Sequence, residues 1–311
     1  MVLDTFLLAL PGTILTVPAN AGSAQCLTGS SPLLCAPEVL SAWVVFLALA
    51  LWLGGLFWQA IIIERAAQRD STLISTALAT GARFYRVAVI ALVAFLVANI
   101  GYFMGLLMLE SGSWGGGFSL TLWGDALRSG SFGVFWLLRE LLALLTLLLL
   151  ALFPRQPASQ EKWRPRRKLF WAEMALAALL LAAVALSEQM PQTKEMPGAL
   201  VVSLDWLFLL AMSLWVGGLL SIALILFPAI WSYKAAERGR MVVALLPRFS
   251  AAALVSAVVA ALSGAFTAYA QLTSWSQITG APYGRALLIL SLLFIVMAII
   301  NLYRVSRLHP A

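Results

Sequence analysis

The side chains of this sequence best suited to bind a metal ion carry sulfur. Four methionines are candidates, two of them four residues apart in an apolar run and two in a short polar loop: Met104, Met108, Met190 and Met196. Residues four apart share one face of a helix, and thioethers are soft ligands that select Cu(I). The four methionines therefore form a candidate copper site. Methionine also fills gaps in apolar bundles, and packing is the alternative role for each.

The two cysteines, Cys26 and Cys35, lie in a connection that is expected to face away from the cytoplasm. An oxidising compartment favours disulfide formation. The sequence therefore predicts a Cys26–Cys35 disulfide, with metal binding as the alternative.

The chain contains one histidine, His309, close to its C-terminus. Haem held by two histidines inside a bundle and a multi-histidine copper centre are therefore both excluded. The sequence also contains no nucleotide-binding loop, zinc-binding helix motif or nucleophile elbow. We expect no catalytic residues and no haem, and a copper ion is the one cofactor that the side chains suggest. A quinone- or haem-dependent oxidoreductase subunit is a weaker alternative.

Among the ionisable side chains in or beside apolar segments, where charge is costly and often functional, three are candidates for a polar site. Arg139 lies about six residues into its apolar run, Asp205 lies at the edge of another, and Glu110 lies at a similar depth. One interpretation is an ion-pair network that fixes the rotation of the helices. The other is a polar vestibule that attracts a cation from outside.

The composition predicts an all-α integral membrane protein that holds these groups within the lipid bilayer. Hydrophobic residues make up 62% of the chain, charged residues 11%, and the mean hydropathy is +0.95. Soluble domains carry roughly 25% charged residues, so most of this surface must face lipid. Each apolar run is long enough to cross a hydrocarbon core of about 30 Å. The seven runs are 41–63, 84–109, 133–153, 169–188, 204–231, 249–271 and 284–304.

The net charge of +7 reports topology and does not indicate a nucleic-acid partner. Most lysines and arginines fall in alternate connections, including the linker 154–168, and the positive-inside rule places those connections in the cytoplasm. The C-terminus is then cytoplasmic. The short apolar segment 2–17 is either an eighth span, our preferred interpretation, or a short helix outside seven spans.

An internal repeat supports eight spans. Trp206 lies 163 positions after Trp43. Aligning these two tryptophans also aligns Trp52 with Trp215, and the glycine pair at 54–55 with the pair at 217–218, without a gap. The chain then divides into four-helix repeats at 1–153 and 169–311, related as a parallel repeat and joined by the basic linker. Glycine pairs allow close helix approach, and a tryptophan precedes each pair. These predicted packing residues are Trp52, Gly54, Gly55, Trp215, Gly217 and Gly218.

Four segments resemble the bacterial copper-resistance protein D family, CopD/PcoD. They are DWLFLLAMSLWVGGLL at 205–220, PRFSAAALVSAVVAALSGAFTAYAQL at 247–272, GAPYGRALLIL at 280–290 and SGSFGVFWLLREL at 129–141. The resemblance implies an inner-membrane protein of copper uptake or tolerance, often working with a periplasmic copper-binding partner. Members of that family usually carry a histidine and a lysine at the positions of Phe208 and Leu290. A copper site built on that histidine cannot exist in this chain.

The sequence therefore predicts a CopD-like protein that handles copper at the outer face of the bacterial inner membrane. The alternative is a non-transporting accessory or scaffold subunit of a larger membrane-bound complex, such as a respiratory one.

Overall fold

The chain is an all-α integral membrane protein. The computed structural model describes residues 32–128, 130–152, 167–187, 197–231, 233–271 and 292, and no strand occurs among them. The predicted first segment, 2–17, lies outside the described residues. So do nearly all of the predicted seventh run, 284–304, and most of the basic linker.

Nine α-helices cover almost all of the described chain. They are α1 (Pro32–Phe57), α2 (Glu64–Arg69), α3 (Ile74–Ser111), α4 (Leu120–Arg128), α5 (Gly130–Leu152), α6 (Arg167–Ser187), α7 (Gly198–Ser221), α8 (Phe227–Ile230) and α9 (Ala235–Gln271). One-turn 3-10 helices lie at Ser71–Leu73 and Trp114–Phe118.

Six helical segments among the described residues are long and apolar enough to cross a membrane: 34–69, 71–111, 132–152, 168–187, 198–230 and 235–267. They correspond to the first six predicted apolar runs. The second and sixth begin well before the predicted starts at 84 and 249, because their helices continue through polar residues. At about 1.5 Å per residue they exceed a hydrocarbon core of about 30 Å, so helical structure extends beyond the membrane there.

Two π-helical turns occur at equivalent places in the chain. Trp58–Ile63 joins α1 to α2, and Ile222–Leu226 joins α7 to α8. Each begins a few residues after a glycine pair, at Gly54 and Gly217 respectively. The predicted repeat relates the two positions to each other. Such π-turns often occur at functional sites.

A capped turn at Asp70 reverses the chain between α2 and α3. The backbone N–H and the hydroxyl of Thr72 donate to Oδ1 of Asp70, at 2.9 and 2.7 Å. These hydrogen bonds favour the ionised carboxylate and hold the pKa of Asp70 below its usual value. The turn lets α3 run back antiparallel to α1.

Helix α1 lies at the centre of the described bundle. It packs against α3 on one side and α7 on the other, while α7 also contacts α6 and α9. The central contact is between the two glycine pairs. A Cβ added to Gly54 would lie 2.6 Å from the Cα of Gly217, and a Cβ added to Gly217 would overlap the carbonyl of Ala50. Only glycine permits this approach of α1 and α7.

The two tryptophans that precede the glycine pairs differ in burial. Trp52 is 1% exposed inside the main core, whereas Trp215 is half-buried and packs against that core.

Candidate functional site

One end of the bundle is covered by a short segment that we call the cap, residues 114–128. The cap consists of the 3-10 turn Trp114–Phe118 and α4. The indole N–H of Trp123 donates to the carbonyl of Gly117 at 2.8 Å, and its ring packs edge-on against Phe103 with centroids 4.7 Å apart. The charge pattern predicts that this end, the cap end, is the outer one.

Met104 and Met108 lie on α3 beneath the cap. Met108 is 4% exposed and Met104 is half-buried. A Cβ added to Gly117 would lie 2.6 Å from Cε of Met108 and 3.2 Å from the backbone oxygen of Met104. Glycine at this position therefore lets the cap lie directly on the side chain of Met108 and on the backbone of α3 at Met104. Met190 and Met196 lie outside the described residues, so the four-methionine site stays a prediction.

A buried polar contact lies further into the bundle. Asn99 on α3 is fully buried, and its Nδ2 donates to Oε1 of Glu140 on α5 at 2.7 Å. The indole of Trp136 donates to the backbone carbonyl of Asn99 at 3.3 Å. Asn99 was not among the site residues predicted from the sequence. A lone asparagine within the apolar run 84–109 was the signal that could have identified it.

Arg139 is fully buried between α5 and α6. Its Nη2 donates to the backbone carbonyl of Val184 at 3.2 Å, and the hydroxyl of Ser187 donates to the same carbonyl at 2.8 Å. This arginine therefore helps to join α5 to α6 near the cap end.

Asp205 and Glu110 have different surroundings from Arg139. Oδ1 of Asp205 accepts a hydrogen bond from Thr267 on α9 at 2.9 Å, and Glu110 is exposed at the end of α3. Arg139 thus contacts α6, Asp205 contacts α9, and Glu110 lies at the surface. A common polar vestibule stays a prediction.

Phe208 occupies the position of the expected family histidine. Its ring packs against Gly264 of α9, where an added Cβ would lie 3.0 Å from Cε2 of the ring. The neighbouring Trp206 donates its indole N–H to the carbonyl of Ala178 at 3.0 Å. An apolar helix contact therefore fills the position at which the family resemblance implies a histidine.

Cys35 is 3% exposed in the first turn of α1 and is disulfide-bonded. Cys26 lies outside the described residues, so their pairing stays a prediction. One turn further along, Glu38 packs against α3, where a Cβ added to Gly105 would lie 2.8 Å from Cα of Glu38.

Two further buried polar contacts lie at the opposite end of the bundle, and their residues were not predicted from the sequence. The hydroxyl of Thr76 contacts Sδ of Met241 at 3.3 Å, and Nε2 of Gln59 donates to the carbonyl of Ala77 at 3.1 Å. Within the described part of the chain, no three histidine, cysteine or acidic residues converge to hold a metal ion.

The fold and the buried polar groups define a multi-pass helical membrane protein whose capped end buries the Met108 side chain. Two family profiles match this chain: "Copper resistance protein D-like, N-terminal domain" over residues 34–188, and "Copper resistance protein D" over residues 243–311. Together the matches span more than two thirds of the sequence. The chain belongs to the copper resistance protein D family and is a copper-resistance-related membrane protein. Comparisons with curated proteins and with solved structures found no match.

Proposed function

We propose that this protein binds Cu(I) at the cap end and passes it into the membrane bundle, acting in copper uptake or tolerance without catalysing a reaction. The observation that carries this proposal is the side chain of Met108 beneath the glycine-rich cap, with Met104 about one turn earlier on the same face of α3. Thioethers are neutral, soft ligands that bind Cu(I) in preference to harder divalent ions. The ion is cargo here, so its ligands should bind it reversibly.

The proposed setting is a bacterial inner membrane with the cap end outside and the C-terminus in the cytoplasm. Met190 and Met196 belong to the connection before α7, which begins at the same end of the bundle as the cap. We propose that they complete the ligand set. A periplasmic copper-binding protein would then deliver the ion directly to the cap.

The test is Cu(I) binding by the full-length protein in lipid nanodiscs, measured anaerobically by competition with a chromophoric chelator. We expect Met104→Leu with Met108→Leu to weaken binding at least about tenfold, which corresponds to about 1.4 kcal/mol. Leucine conserves the side-chain volume closely, so packing should be little affected.

Met212→Leu is the matched control. Met212 is 4% exposed in the core on α7, like Met108 in burial but outside the cap contacts. It should bind Cu(I) as the wild type does. Equal affinity in the wild type and in the double variant would overturn the proposal.

The second candidate function is an accessory or scaffold subunit of a larger membrane complex. The contact of Phe208 with Gly264 favours it, because an apolar pair stands where the family usually has a histidine. Native purification distinguishes the two functions. A stable set of co-purifying subunits without copper would favour the scaffold, and the isolated chain with bound copper would favour transport.

A further inference from the structure

One buried amide inside the bundle has an acceptor without a donor. Asn99 is fully buried, and its Nδ2 donates to Oε1 of Glu140. Among the described residues no donor reaches Oδ1 of the same side chain. A buried polar atom without a hydrogen bond is destabilising, and in native proteins such an atom usually has a reason. The neighbouring carboxyl group supplies one.

Protonation of Glu140 would provide the missing donor. A neutral carboxyl group has one O–H donor and still has acceptor capacity, so it can pair with a primary amide through two hydrogen bonds. Nδ2 of Asn99 then donates to one carboxyl oxygen, and the O–H of Glu140 donates to Oδ1 of Asn99. The pair is fully satisfied and carries no charge within an apolar segment, where charge is costly.

We propose that Glu140 and Asn99 form a proton-binding site inside the helix bundle. The carboxylate takes up one proton to become a carboxylic acid and releases it again, and no other bond forms or breaks. Glu140 is half-buried, so part of its side chain lies at the surface of the described bundle, where a lipid-soluble reagent can reach it. The proposal goes beyond copper handling, because it uses neither Met104 nor Met108.

Asn99 is the direct hydrogen-bond partner of Glu140, and several charged side chains lie on α5 and the helices around it. Arg139 is adjacent in sequence, and its positive charge, like the hydrogen bond from Asn99, favours the ionised carboxylate that remains after the proton leaves. Its Nη2 donates to α6. The charged groups of the packed elements α3, α4 and α6 nearest the cap end are exposed, and Glu173 on α6 lies about three turns from Val184. The exposed groups are Glu110, Asp125 and Arg128.

Carbodiimide labelling tests this site directly. Dicyclohexylcarbodiimide, a lipid-soluble reagent, reacts with protonated carboxyl groups, and peptide mass spectrometry locates the adduct. The full-length protein in nanodiscs should be labelled at Glu140, and labelling should fall at least about tenfold between about pH 4 and about pH 9, which brackets ordinary and perturbed carboxyl groups. Glu110 on α3 is the control, since a water-soluble carbodiimide should label it instead.

Thermal unfolding of Glu140→Gln and Glu140→Leu provides an independent measurement. Glutamine can form the same two hydrogen bonds with Asn99 as the protonated acid, so E140Q should fold and lose a component of the pH dependence of Tm that the wild type shows. Leucine leaves Asn99 without a partner, so E140L should have a lower Tm than E140Q at every pH. The exposed control E110Q should keep the wild-type pH dependence.

Two outcomes would overturn the proposal. Labelling of Glu140 that does not vary with pH would identify a permanently neutral structural acid. A Tm profile of E140Q that coincides with that of the wild type would show that Glu140 does not exchange a proton in this range, whether or not the carbodiimide reaches it.

Discussion

The contact between α1 and α3 and the contact between α7 and α9 use the same packing device. A Cβ added to Gly55 would lie 2.9 Å from the ring of Phe84, and one added to Gly218 would lie 2.5 Å from the ring of Phe249. In each pair an aromatic ring of the second helix rests on a glycine of the first. The shared geometry is what a duplicated unit would produce.

The same two helix pairs differ towards the cap end. Fifteen residues after the aromatic ring, α3 carries Asn99 and α9 carries Gly264. The asparagine reaches across to Glu140 on α5, whereas the glycine makes room for the ring of Phe208 on α7. The first pair thus directs a polar group towards a third helix, and the second pair closes on itself.

In the pair α7 and α9 the polar group lies on α7, and it bonds within the pair. Asp205 on α7 accepts a hydrogen bond from Thr267 on α9. The glycine contacts at the middle of the bundle therefore constrain the sequence tightly. Near the cap end, by contrast, the polar residue can lie on either helix of a pair. Substitutions at the glycine contacts should therefore cost more stability than substitutions at the polar contacts.

Closing the glycine notch should have the largest effect. Gly217→Val places a side chain where the carbonyl of Ala50 lies, and we expect it to lower the free energy of unfolding by about 3 kcal/mol. Unfolding in a titration with sodium dodecyl sulfate measures the change. Gly239→Ala on α9 is the control, because no atom lies within 4 Å of its added Cβ. A well-folded G217V protein would refute the contact between α1 and α7.

Removing each of the two aromatic rings in turn should show that the two mid-bundle contacts contribute unequally to stability. Phe249 also packs edge-on against Trp58, with ring centroids 5.1 Å apart and planes at 81°. Such a pair contributes about 1 kcal/mol beyond packing, so Phe249→Ala should destabilise more than Phe84→Ala by about that amount. The comparison uses the same detergent titration, and equal destabilisation would assign no energetic role to the indole of Trp58.

Breaking the polar contact of the second pair should have the smallest effect. Thr267→Val removes the hydroxyl that donates to Asp205, and we expect a loss of about 1 kcal/mol. In a double-mutant cycle with Asp205→Ala, the two changes should be non-additive. Strict additivity would mean that the hydrogen bond contributes nothing to stability, and that Asp205 is held by other contacts.

Much of the helix arrangement follows from the sequence. Apolar length and composition predicted the first six spans, since any helix in lipid must satisfy its own backbone and present apolar side chains. The glycine pairs were also visible in the sequence. The surface that packs against Gly54 could not be identified in the same way, because it depends on how α1 and α7 pack together.

The sites were predicted less completely than the spans. Met104 and Met108 share a helix face by spacing alone, but the cap residue Gly117 that contacts Met108 lies in a short 3-10 turn, which has no periodic signal in the sequence. The pairing of Asn99 with Glu140 joins residues 41 positions apart, and periodicity within a helix carries no information over that separation. Phe208 was identified as a departure from the family, and only the structure shows that Gly264 accommodates it.

Composition and local spacing were sufficient to predict the class of protein, the number of long apolar helices in the described part and the soft-ligand chemistry of the methionines. Which polar groups meet depends on the packing of the helices. Arg139 binds a carbonyl of α6, Asp205 binds Thr267 of α9, and Asn99 binds Glu140. Inside a membrane each such group must find a partner within the bundle, and the partner is chosen by how the helices pack.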